Sequence, residues 1–180
     1  MKYLYILFTT LLVLSCSTSD NQKAGTTPET KSYPDQESWN ATMFITREGK
    51  TIGHLKAAHV QKFTKKNITL LDGGIQVDFY NEKGRHTSVL TSDGGEVMDA
   101  TQDMTAYGHV VVVSDSGLTL HTDTLKWNNK KQKIYSKNSI ILTTTKHDTL
   151  YGDGFVSDPD LANYEITNPR GKSSKSLNIQ

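Results

Sequence analysis

The chain holds one cysteine among 180 residues, which excludes an intrachain disulfide and any cysteine-rich zinc site. An excess of one charge sign is also missing. Twenty basic residues face nineteen acidic ones, for a net charge of +1, so no standing field holds a polyanion by counterion release. Nucleic acid and a polybasic contact with a membrane surface are therefore not expected. Apolar residues are sparse, with 35% hydrophobic residues and a mean hydropathy of -0.51, which suits one modest domain with a thin core. Helical periodicity is absent as well: from Glu37 onwards no ten-residue stretch places apolar residues at i, i+3, i+4 and i+7. What is abundant is threonine, 23 residues, whose branched Cβ sits well on a pleated, half-solvated surface.

The most apolar stretch, Leu4 to Leu14, follows Lys2 and is broken only by Tyr5, Thr9 and Thr10. It is far shorter than the roughly 20 residues that a helix needs to cross a bilayer, and reads as the apolar core of a signal peptide. Directly behind it, Val13-Leu14-Ser15-Cys16 resembles the lipobox of bacterial lipoproteins, with Val13 where leucine is usual. Ser15 supplies the small residue that a signal peptidase needs, and Cys16 the thiol that takes an acylglycerol. The expectation is a signal peptide over 1–15 and lipid attachment at Cys16; a plain secretory signal with a chance cysteine is the alternative. Acyl chains contribute about 0.8 kcal/mol per buried CH₂, so two or three of them anchor a protein stably. From 16 to 36 the chain is polar, carries Pro28 and Pro34, and reads as a flexible tether.

The remainder reads as strands separated by turns at roughly 8–12 residue spacing. Ile75 to Tyr80 alternates apolar and polar residues, and His86 to Thr91 leads back from the turn Asn81-Glu82-Lys83-Gly84 as a hairpin candidate. Val110 to Val113 is apolar at every position, which predicts cover on both faces or one face turned to a hydrophobic ligand. In the next strand the apolar phase changes from Leu118 and Leu120 to Leu125 and Trp127, which predicts a bulge near Thr122 to Thr124. Further strands are expected at Ile134-Tyr135, Ile140 to Thr145, Leu150 to Val156 and Tyr164 to Ile166, with earlier ones at Met43 to Ile45, Ile52 to Val60 and Phe63 to Leu71. The glycines of Gly152-Asp153-Gly154 mark a bend or a close backbone approach. An all-β domain is expected over 37–172, an antiparallel sandwich, jelly roll or barrel, followed by a polar tail over 173–180.

Catalytic patterns are missing. His54 and His59 are five apart and so not on one strand face, and His86, His109, His121 and His147 are scattered. No serine sits in a nucleophile elbow. Asp99 with Asp103 and Asp158 with Asp160 are acid pairs at turns, where aspartate bonds its own backbone. No glycine-rich segment leads into a helix or a Lys-Ser/Thr pair that would cradle a phosphate. Neither an enzyme nor a cofactor is expected. The surplus lies instead in apolar strand residues: Ile75, Val77, Phe79, Val111, Val113, Leu118, Leu120, Trp127, Ile140 and Leu142. Two readings stay open for these, an ordinary core or the lining of a hydrophobic groove in an incompletely closed sandwich.

The order of three segments carries a resemblance. Gly108-His109-Val110, then Thr122 to Asn128 with Leu125-Lys126-Trp127, then the lysine-rich turn Lys130 to Tyr135 together resemble the LptC family of lipopolysaccharide export, and Leu150-Tyr151-Gly152-Asp153-Gly154 resembles its Ile-x-Gly-x-Gly segment. The resemblance spans about 39–170. It implies an open, twisted β-jelly-roll with a hydrophobic groove that takes lipopolysaccharide from an inner-membrane ATP-binding-cassette exporter and passes it to LptA-like jelly-roll bridge proteins by sheet-edge pairing. It further implies a periplasm-facing location. Many family members carry an N-terminal transmembrane helix, where this chain has Cys16. The family favours the inner membrane for such an anchor, and Ser17 after the cysteine would favour the outer one under the enterobacterial sorting rule. Two other classes stand beside this reading: an assembly lipoprotein that binds only protein, and an envelope enzyme using Asp99 or Asp158.

Overall fold

In the computed structural model, the described residues are 33–146 and 148–172. The signal segment, Cys16, most of the tether, His147 and the tail from 173 lie outside them. Thirteen strands follow in order: β1 Gln36–Arg47, β2 Lys50–Phe63, β3 Ile68–Tyr80, β4 His86–Ser92, β5 Gly94–Met98, β6 Asp103–Ser114, β7 Thr119–Asn128, β8 Lys133–Ser136, β9 Ile140–Thr143, β10 Thr149–Gly152, β11 Gly154–Ser157, β12 Tyr164–Thr167 and β13 Arg170–Lys172. All pair antiparallel in one hydrogen-bonded sheet, and the only helical piece among the described residues is a single 3₁₀ turn, Thr64–Lys66. The fold is an all-β jelly roll.

The sheet bends along one line. The first halves of β1, β3 and β6, the second halves of β2 and β7, and β5, β8, β11 and β12 form one run of paired strands. The complementary halves with β4, β9, β10 and β13 form the other. At the bend the backbone takes left-handed conformations that a regular strand does not use: Asn40, Gly73, Gly74, Gly108, His109 and Asn168 all have positive φ. Pairing nevertheless continues through it, for Gly74 N donates to Asp93 O and Asp93 N to Gly108 O, both at 2.9 Å. Gly108 has no substitute here: at φ +74° an added Cβ would lie 2.5 Å from the Asp93 carboxylate. At Gly152 a Cβ would collide with Ile166, so this glycine serves a close backbone approach.

Alternation then sorts the side chains. Residues facing inward from the two runs make one apolar layer of contact, in which Val112 and Leu142 are fully buried and Val110, Leu120, Ile140 and Phe155 nearly so. The hairpin expected from Ile75 to Tyr80 and His86 to Thr91 is β3 with β4, Phe79 opposite Ser88. The irregularity expected near Thr122 to Thr124 lies at that place but on the partner strand: β6 advances three residues from Tyr107 to Val110 while β7 advances two from Thr124 to Thr122, so the extra residue is in β6. One run is corrected. Phe63 to Leu71 is not a single strand; Phe63 closes β2, the chain turns at Thr64–Lys66, and Asn67 in the left-handed region starts the return. Apolar residues on both sides of a tight turn mimic one continuous strand.

Candidate functional site between the two layers

The rings of Phe79 and Trp127 lie 6.2 Å apart, one from each layer, and locate the place where the layers meet. Phe79 is the partner of Ser88 in β4; Trp127 is the partner of Ile134 in β8. Around them Leu55, Leu71, Leu90, Ala106 and Leu125 complete an apolar interior, in which the layers leave a void of about 30 Å³, room for about one water. Ligand pockets run to several hundred cubic ångströms, so the interior has no room for a lipid chain in this conformation.

One end of the roll is held shut by the β11–β12 connection, residues 158–163. It leaves one layer at Ser157 and reaches across to the other, where Ser88 Oγ donates to Pro159 O and Ser114 Oγ to Asp160 O, both at 2.6 Å. Directly after these anchors Leu161, at φ +59°, is wholly buried in the core. The base of the strap is pinned by Asp158, which accepts from Lys133 Nζ at 2.7 Å and from Asn163 Nδ2 at 2.9 Å. Burial pushes the Asp158 carboxyl up, and the bonds from Lys133 and Asn163 together outweigh it, so it titrates below the usual range.

The expected groove residues fall into three groups. Ile75, Val77, Phe79 and Trp127 line the void; Leu120, Ile140 and Leu142 are buried in the same core without lining it; Leu118 is half-buried and packs against that core. Val111 and Val113 are corrected. They face outward, Val113 with 47% of its surface exposed, because Val110 and Val112 are the inward pair of β6. In a run that is apolar at every position, alternation has no polar residue to mark the phase. Leu55, Leu71, Leu90, Ala106, Leu125, Ile134 and Leu161 belong to the interior without having been singled out. Leu125 and Ile134 carried the strand signal, whereas Leu161 stands alone in a polar turn with no strand signal.

The histidines and carboxylates serve the outer surface. His59 of β2 lies between Glu37 Oε1 at 2.7 Å and Asp72 Oδ1 at 2.9 Å, which hold its pKa above the ordinary histidine value, and its ring stacks on Trp39. Along the bend His109 bonds Asp93 at 2.7 Å, and Arg170 clasps Asp153 with two nitrogens at 2.6 and 2.9 Å. Asp99 accepts from Thr69 and pairs with Lys62, Asp103 accepts the Asn129 N–H, and Asp160 caps the Ala162 N–H. Among the described residues, no group of three histidine, cysteine or acidic side chains could hold a metal, and no helix is long and apolar enough to cross a membrane.

Comparison with curated proteins finds no relative. Among solved structures, the chain is similar to LptH from Pseudomonas aeruginosa, the LptA-homologous periplasmic component of a lipopolysaccharide transport device, at 12% identity and a TM-score of 0.49 over 67% of this chain and 90% of that one. The family model described as lipopolysaccharide-assembly, LptC-related, matches residues 3–157. With most of its length matched by that model, the chain belongs to the LptC-related family of lipopolysaccharide-assembly proteins, non-enzymatic transport proteins of the periplasm.

Proposed function

We propose that this protein is a lipid-anchored relay that takes lipopolysaccharide acyl chains between its two layers and hands them to a neighbouring jelly roll. The observation that carries the reading is the apolar interior around Phe79 and Trp127, closed at one end by a strap resting on two serine hydroxyls. An acyl chain needs several hundred cubic ångströms, so loading requires the layers to part. Two hydrogen bonds and one leucine are a modest barrier to set against burial of a lipid chain at about 25 cal/mol per Å². No covalent step is involved, and direction comes from the ATP cycle of the inner-membrane exporter.

The sheet edges supply the hand-over. β1 is a long edge of 12 residues with Trp39 and Phe44 exposed; at the other edge the short β12 and β13 end the two runs. Unpaired N–H and C=O groups at such edges add strands of a second sheet, which aligns one interior with the next. Acylation of Cys16 would tether the domain to the inner or outer membrane through the polar segment up to residue 36. Val111 and Val113 take no part in lipid contact in this scheme.

Photo-crosslinkers at Phe79, Leu120 and Val113 of the full chain, in cells that export lipopolysaccharide, test the reading. Capture at Phe79 and Leu120 with silence at Val113 is expected. Silence at both inner positions, together with unchanged surface lipopolysaccharide on depletion, overturns it in favour of an assembly lipoprotein that binds protein only.

A further inference from the structure

The indole Nε1 of Trp127 is buried with no hydrogen-bond partner, alone in this respect among the buried side-chain atoms of the described residues. An indole N–H donates and cannot accept, and leaving a buried donor unpaired costs stability. A trapped water is a poor remedy: it needs two to four polar partners, and the void beside Trp127 is lined by apolar residues such as Leu90, Ala106 and Ile134 apart from Glu96, Thr105 and Lys126, cross-strand neighbours in β5, β6 and β7. The arrangement fits an occupant that is apolar along its length and carries one acceptor oxygen. We propose that Trp127 Nε1 donates to the carbonyl or hydroxyl oxygen at the head of a bound acyl chain, and so sets its depth and direction.

The direction follows from where Trp127 stands. It is the penultimate residue of β7, opposite Ile134, whose other partner Ser157 opens the Leu161 strap. The oxygen-bearing head therefore lies at the strapped end, and the hydrocarbon tail points along the layers toward the bend. This inference rests on the reading of the interior as an acyl site. It adds that the site distinguishes an acyl chain from a plain hydrocarbon.

Full-length protein labelled with ¹⁵N at tryptophan gives two indole resonances, Trp39 and Trp127, and these are followed on titration in detergent. The titrants are lipopolysaccharide, phospholipid vesicles, a long-chain methyl ester and the alkane of equal length. A downfield shift of Trp127 with the ester and with lipopolysaccharide, and none with the alkane, is the expected result. Trp127→Phe, which keeps a ring and removes the donor, should bind the ester about tenfold more weakly, the value of about one hydrogen bond, and the alkane unchanged. An equal shift with the alkane, or unaltered ester affinity in Trp127→Phe, overturns the inference. If lipopolysaccharide crosslinks at Phe79 while the Trp127 resonance stays still, the inference falls and the relay reading stands. If the ester and phospholipid shift Trp127 while lipopolysaccharide does not bind, the donor role stands and the lipopolysaccharide reading falls.

Discussion

Ser114 Oγ donates to the carbonyl oxygen of Asp160 at 2.6 Å, joining β6 in one layer to a strap that begins in the other. Ser88 makes the same kind of bond to Pro159, and the hydroxyls of both residues are turned inward. Removing one hydroxyl leaves a carbonyl without its donor. Ser114→Ala and Ser88→Ala should each lower stability by about 1 kcal/mol. Because both act on one strap, the double variant should fall short of the sum, which denaturant midpoints of the two singles and the double will reveal.

Leu161 combines full burial with a left-handed backbone, two features that pull apart on substitution. Leu161→Ala loses packing and keeps the strain, for a cost of about 2–5 kcal/mol. Leu161→Gly loses slightly more packing but relieves a conformation that costs a non-glycine residue about 1–2 kcal/mol. Thermal unfolding should therefore place Leu161→Gly level with Leu161→Ala or above it, the reverse of their order in an ordinary strand. If the strap limits loading, both variants also speed lipid capture at Phe79.

Val112 and Val113 are neighbours with opposite surroundings, one with none of its surface exposed and the other 47% exposed. Val112→Asp would bury an unpaired carboxylate and should prevent folding. Val113→Asp should stay within about 0.5 kcal/mol of the parent. Circular dichroism melts of the two variants give a direct reading of the phase of β6.

His59 offers a pH signature. Its bonds to Glu37 and Asp72 favour the protonated ring, so its folded pKa lies above 6.5. The stability it contributes is complete below pH 6.5 and is lost as pH rises through the folded pKa. Replacing Glu37 with glutamine should move the His59 titration, followed by NMR, toward 6.5 and flatten stability across that window.

Asp153 works in the opposite range. Hydrogen bonds from Arg170, and next from Asn168, lower its pKa from 3.8 to about 2. The contribution is present above about pH 4 and is lost as pH falls through about 2. Asp153→Asn should remove that acid-limb dependence while leaving the neutral-pH melt little changed, as expected of an exposed pair screened by water.

The strands were legible because their signal is local. Alternation from Ile75 to Tyr80, the turn at Asn81 to Gly84, and the change of phase between Leu120 and Leu125 each lie within a few residues, and β3, β4 and the β6–β7 register shift stand at those places, the extra residue being in β6. The order of the Gly108, Thr122 to Trp127 and Lys130 to Tyr135 segments pointed to the family whose model matches the chain. The same locality explains the two misreadings. Val110 to Val113 has no polar residue to mark its inward face, and Phe63 to Leu71 hides a turn between two apolar ends.

Composition and period-two patterning thus determined the all-β class, the hairpins and the interior set Ile75, Val77, Phe79 and Trp127. Only the tertiary structure decided that β6 turns Val110 and Val112 inward, that Leu161 closes the end of the roll, and that the Trp127 indole is left without a partner. The bonds that settle these points join residues 46 and 71 positions apart, and whether a buried donor is satisfied depends on every group that packing brings around it.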